Sequence, residues 1–132
     1  MGGEKDIKKL LKGMTPILNE GVYVFSTVKD ISQIDRELPI CEFKEKESTT
    51  IVIEKLEADK LGLSYEYIAS WITLTIHSSL DAVGLTAIFS TALAESQISC
   101  NVIAGFYHDH IFVDTKDAEK AMDVLMALSK NA

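Results

Sequence analysis

Residues 71–77 read Trp-Ile-Thr-Leu-Thr-Ile-His, a strict alternation that puts Ile72, Leu74 and Ile76 on one face of a strand and Thr73, Thr75 and His77 on the other. The order of elements beyond this strand limits the fold more than any other feature. Leu85, Ile88, Phe89, Ala92 and Leu93 fall at helical spacing, with Asp81 upstream as the expected N-cap. Residues 100–107 and 110–113 read as two strands joined by a tight turn at His108-Asp109. Ala118, Ala121, Met122, Leu125 and Leu128 then form the inner face of a last helix, capped by Thr115, with Asp117 and Glu119 where a helix dipole favours negative charge. The order β-α-β-β-α is that of the split βαβ in ferredoxin-like folds. Such a fold needs a fourth strand after its second helix, yet only Lys130, Asn131 and Ala132 come after Ser129. A strand from the first half must fill the vacancy, because an open edge there invites aggregation. Val22–Val28 is the expected donor.

The first half carries a second set of elements. Ile7, Leu10, Leu11 and Met14 repeat at i, i+3, i+4, i+7, the apolar face of a short helix that Gly13 can stop. Pro16 and Gly21 punctuate a loop, and β-branched and aromatic residues at 22–28 predict a strand. Residues 30–39 read as a polar loop with a helical turn. Two strands, 40–47 and 50–54, meet at a turn over 46–49, and a short helix over 56–61 ends at Gly62. The class is α+β, with an N-terminal half at 1–63 and a C-terminal half at 64–132.

Charge separates the halves. The 132 residues hold 13 Lys and Arg against 20 Asp and Glu, a net charge of −7. An acidic chain repels phosphate backbones and anionic lipid, so neither nucleic acid nor a membrane surface is an expected partner. Between Tyr67 and His108 only Asp81 and Glu95 are charged, and they divide the stretch into pieces too short to span a bilayer. So little charge points either to one large core or to a surface covered by the first half or by a second copy of the chain, and a homodimer is expected. Two cysteines make no disulfide framework, and no leader-like segment opens the chain, so the expected compartment is the cytoplasm.

The run Gly84-Leu-Thr-Ala-Ile-Phe-Ser-Thr-Ala-Leu-Ala-Glu-Ser-Gln-Ile-Ser-Cys-Asn-Val102 resembles the helix and second strand of an ACT domain, particularly those of aspartokinase regulatory regions. The flanking stretches 71–84 and 101–113 resemble small bacterial proteins built of two ACT-like halves, and more distantly the arginine-sensing CASTOR proteins. The resemblance covers nearly the whole chain, strongly from residue 64. It implies two intertwined βαββαβ halves with antiparallel sheets and helices on one face. It also implies a regulatory module without catalysis of its own, whose ligand, usually an amino acid, lies between ACT units paired side by side. Family ligand sites map onto Ser78, Ser79, Asp81, Ala82, Val83 and Gly84 in the loop before the helix, and onto Asn101 and Val102 at the second strand's start. The chemistry suits a carboxylate-bearing ligand. A helix start offers free amides, Gly84 allows close approach, and Asp81 or Asn101 can hold an ammonium. No cofactor is implied.

A second reading starts from the histidines. Topology brings His77, at the end of one strand, to the same edge as His108 and His110, which flank Asp109. Two or three imidazoles with a carboxylate from Asp81 or Asp109 make a conceivable transition-metal site, or a small enzyme built on that edge. Hydrogen bonding within a tight turn explains the same residues. The chain holds no nucleophile elbow, Walker loop, dinucleotide fingerprint, His-Glu-x-x-His or Cys-x-x-Cys. Cys100 reads as a small core side chain rather than a reactive thiol.

Overall fold

A computed structural model describes residues 6–75 and 83–132, which group into two compact units. One unit is Gly21–Ala69. The other joins Met1–Glu20 to Ser70–Ala132, so the N-terminal segment packs with the C-terminal half.

In the Gly21–Ala69 unit, β2 (Tyr23–Val28) lies beside β4 (Thr49–Glu54) along its whole length, with Tyr23 opposite Glu54 and Val28 opposite Thr49. β3 (Cys41–Lys44) covers the far side of β4, and Glu45 N–H donates to Ser48 C=O to close their hairpin. α2 (Lys55–Leu61) stops at Gly62, whose φ of +69° is a left-handed conformation open to glycine. β5 (Ile68–Leu74) begins here, pairing Ala69 with Tyr23 and Ile68 with Val24. The strand order β3-β4-β2-β5 is ferredoxin-like. The first helix of that pattern shrinks to a 3₁₀ turn over Ile31–Gln33, capped by Asp30. Asp35 takes the Glu37 N–H at 3.0 Å, a local turn that competes with helix, and Pro39 comes next but one. Val24, Val28, Ile51, Ile53 and Ala58 make the core.

The other unit contains the predicted β-α-β-β-α. The rest of β5 leads to α3 (Leu85–Glu95), β6 (Asn101–Ala104), β7 (Asp109–Asp114) and α4 (Ala118–Lys130). Leu85, Phe89, Leu93, Ala121 and Leu125 face Ile72, Leu74, Ile111 and Val113 in one buried cluster. The vacancy is filled by β1 (Pro16–Leu18), which pairs with Ile72–Leu74, and the unit's order is β1-β5-β7-β6. The expected donor was Val22–Val28, which instead serves the other unit. Hydrogen bonds from Thr75 N to Thr15 O and from Asn19 N to Trp71 O extend the three-residue ladder at both ends. α1 (Ile7–Gly13), capped by Asp6, adds Leu10, Leu11 and Met14 to the same cluster. Proline is tolerated in β1 because an edge strand can leave one N–H side unpaired.

Three local expectations are corrected. The N-cap of α3 is Gly84, and the helix starts at Leu85, four residues beyond Asp81. α4 is led in by a 3₁₀ turn over Thr115–Asp117, and the capping side chain there is Asp114, which accepts from Lys116 N, not Thr115. The β6–β7 turn is Gly105–His108, earlier than expected, and Asp109 already pairs with Ala104. Among the described residues no helix is long and apolar enough to cross a membrane.

Candidate functional site

His77, Ser78, Ser79, Asp81 and Ala82 lie outside the described residues. Val83 and Gly84 close that loop. Val83 is almost fully exposed, and Gly84 turns into α3 with φ of +95°, a conformation a side chain would strain. Asn101 and Val102 open β6, opposite Phe112 and Ile111 respectively. Val102 packs against the helix-side core, so alternation sends the exposed Asn101 to the helix-free face.

These two groups are not neighbours within one unit. Ser70 Oγ lies 2.6 Å from Thr115 Oγ1 and Thr73 Oγ1 lies 3.2 Å from His110 Nδ1, so β5 runs antiparallel to β7. β5 therefore ends, at Leu74, at the end of the sheet where the β6–β7 hairpin closes. Asn101 sits at the other end of β6, roughly 10 Å away along the strand. β6 is the last strand in the order.

Of the histidine edge, His108, Asp109 and His110 lie among the described residues. Gly105 N–H donates to His108 C=O at 2.9 Å. Gly105 packs so closely that a Cβ there would lie 2.8 Å from His108 O and 3.2 Å from His110 Nε2. His110 Nδ1 accepts the Trp71 indole N–H at 3.0 Å and sits 3.2 Å from the Thr73 hydroxyl. The indole donor assigns the proton of the neutral ring to Nε2. Asn19 Nδ2 donates both to Trp71 O and to Thr73 Oγ1, at 3.1 and 3.0 Å. Trp71 also stacks on Phe112, with ring centroids 6.4 Å apart.

Burial holds the His110 imidazole below its ordinary pKa, His108 adds to the effect and Asp109 opposes it. Burial raises the Asp109 carboxyl, against the pull of His110. His108 belongs to the turn and His110 to the strand, and among the described residues no three His, Cys, Asp or Glu side chains come together as metal ligands. Burial pushes the Cys100 thiol up to about 11, which makes it a poor nucleophile at neutral pH. Asn19, Trp71 and Thr73 carry no sequence signal that marks them as partners of His110. The alternation did place Thr73 on the correct face, but Asn19 reads as loop until β1 is seen.

Two family models match, both described as ACT domain, over residues 2–70 and 66–127. The chain belongs to the ACT-domain family. Its ACT units are small-molecule-binding regulatory modules, a non-catalytic class. No curated protein matches. Among solved structures, this ACT protein is 47% identical to a protein of unknown function from Vibrio cholerae, named there as a possible transport protein, with a TM-score of 0.84 over 95% of this chain and 97% of that one. It is also similar to the aspartate kinase of Clostridium acetobutylicum at 14% identity and TM-score 0.61, covering 91% of this chain and 35% of that one. The ligand-free regulatory subunit of aspartate kinase from Thermus thermophilus is similar at 10% identity and TM-score 0.56, with 89% and 99% covered. At such identities the two aspartate kinase structures show a shared fold alone.

Proposed function

We propose that the protein is a regulatory sensor, with no catalysis of its own, that binds a small carboxylate-bearing molecule, an amino acid, between paired ACT units of a homodimer. The loop residues Ser78, Ser79, Asp81, Ala82, Val83 and Gly84 of one unit receive the carboxylate at the amides that open α3. Asn101 and Val102 come from the partner copy. The observation that carries this reading is the separation within one unit. Asn101 lies on edge strand β6 at the end away from the β6–β7 hairpin, where β5 ends, and antiparallel pairing of two β6 edges brings the hairpin end of one copy to Asn101 of the other. Asp81 is the one acid in the run 78–84 and takes the ligand's ammonium. The reading places the protein in the cytoplasm, in keeping with two free cysteines.

A thermal-shift screen of the twenty amino acids, then calorimetry on the hit, tests it. Asp81→Ala is expected to cost about 1–3 kcal/mol of binding, the loss of a charge-assisted hydrogen bond, and Asn101→Ala to weaken binding with little effect on stability. Equal affinity in wild type and both variants would sink the assignment.

A further inference from the structure

β3 is the outermost strand of its unit, paired with β4 on one side and with no strand on the other among the described residues. The ladders show which of its backbone groups are already bonded. Lys55 N–H donates to Val22 C=O in register with the β2–β4 ladder, so the odd-numbered residues of β4 exchange hydrogen bonds with β2, and Thr50 and Val52 are left to bond β3. Glu45 N–H donates to Ser48 C=O in the same register that sets Phe43 opposite Thr50 and Cys41 opposite Val52. Phe43 and Cys41 therefore turn their N–H and C=O groups toward β4, and Glu42 and Lys44 turn theirs outward.

Phe43 is 69% exposed on the sheet face away from the Ile51 and Ile53 core, while Glu42 and Lys44 lie on the other face. Arg36 grips Glu42, Nε to Oε2 at 3.0 Å, and a carboxylate accepts about four hydrogen bonds, so Glu42 can take a second cation. For β3 of a second copy running antiparallel along this edge, an outward residue must face an outward one, so the pairing centres on Glu42, Phe43 or Lys44. Centring on Glu42 sets acid against acid, and centring on Lys44 sets ammonium against ammonium, both repulsive. Centring on Phe43 sets Glu42 against Lys44 twice. The two Phe43 rings then meet on the two-fold axis as a non-hydrogen-bonded pair, where side chains approach closest. The strand is complementary to itself in that register alone. Lysine on an edge ordinarily deters strand addition, but here it has an acid to meet.

We propose that β3 pairs antiparallel with β3 of a second copy of the chain, with Phe43 on the two-fold axis and Glu42 opposite the partner's Lys44. The contact is isologous and belongs to the Gly21–Ala69 unit, which does not contain β6, so it stands independently of the amino-acid reading. A strand of 4 residues buries little area. The contact is therefore weak, forming at about 0.5 mM and joining species that exist at tens of micromolar into larger assemblies.

Thiol linking of the full-length protein by diamide at about 0.5 mM, read on non-reducing gels, tests the register. The Cα atoms of a non-hydrogen-bonded pair lie about 4.5 Å apart, within reach of a disulfide. Phe43→Cys is expected to give a linked dimer at least about tenfold faster than Lys44→Cys, whose thiols lie out of register with each other. Adding Lys44→Glu to Phe43→Cys is expected to slow linking several-fold, since Glu42 then faces a second acid. Phe43 and Lys44 are exposed, so these variants keep the fold, which an unchanged melting curve checks. The wild type, whose Cys41 faces the partner's Glu45 in this register, is the unlinked baseline. Linking is expected to persist when Ile103→Lys is added, because β6 takes no part. Equal rates for Phe43→Cys and Lys44→Cys, no linked dimer at all, linking unaffected by Lys44→Glu, or linking abolished by Ile103→Lys would each overturn the proposal.

Discussion

At the scale of single residues, the hairpin that ends β6 depends on one glycine and one histidine. Gly105 has no left-handed φ, so its requirement is steric. Gly105→Ala would drive a methyl to 2.8 Å from the His108 carbonyl oxygen, a backbone atom that moves only if the turn opens. The expected cost is about 1–3 kcal/mol, read as a lowered urea midpoint with an unchanged slope. His110 gives stability a pH dependence. Its folded pKa lies below the ordinary 6.5, so as pH falls through that range the unfolded chain takes up the proton first. Stability is therefore fully present above about 6.5 and declines toward the folded pKa. His110→Asn keeps an acceptor for the Trp71 indole but does not titrate. Between about pH 7.5 and 5 the wild type should lose more unfolding free energy than this variant, and parallel losses would show that His110 is not the cause. Sequence alone could place His110 beside a turn. It could not show that Trp71, 39 residues earlier, donates to it, because that contact depends on the register of β5 against β7.

At the scale of elements, β1 and α1 show where pattern reading stops. The helix at 7–13 was legible because Leu10, Leu11 and Met14 form a stripe that must be buried. β1 was not. Three residues beginning with proline carry no period of their own, and Pro16–Leu18 becomes a strand only because β5 presents an edge. Its neighbour Val22–Val28 has the stronger strand composition, yet β4 claims Tyr23–Val28 from end to end. The N-terminal segment therefore supplies both a strand and part of the core to the C-terminal unit. Burying Leu10, Leu11 and Met14 is worth roughly 5–9 kcal/mol by area, comparable to the whole stability of a small domain. Deleting residues 1–20 should leave a protein that binds a hydrophobic dye and has lost its cooperative melt in the C-terminal unit. An unchanged melting curve would contradict that. Leu10→Ala is the milder form of the test, with an expected loss of about 2–5 kcal/mol.

At the scale of the whole molecule, the paired-unit reading makes a prediction about mass. β6 is the last strand in its unit's order and carries Asn101 on its exposed start, so light scattering at tens of micromolar should give twice 14.6 kDa. A charged edge blocks strand addition, so Ile103→Lys should shift the mass toward the monomer. A wild-type monomer would remove the partner that the amino-acid site requires. The sequence by itself determined the class and most elements: alternation at 71–74, helical spacing at 85–93 and 118–128, and the order β-α-β-β-α from Trp71 onward. These are local periodicities and their order along the chain, and each is set by which side chains must leave water. Which strand came, where the hairpin turned and what His110 touches were decided by the tertiary structure. Each is a competition between segments far apart in the chain for the same edge or lone pair, and the winner depends on geometry that no single segment encodes.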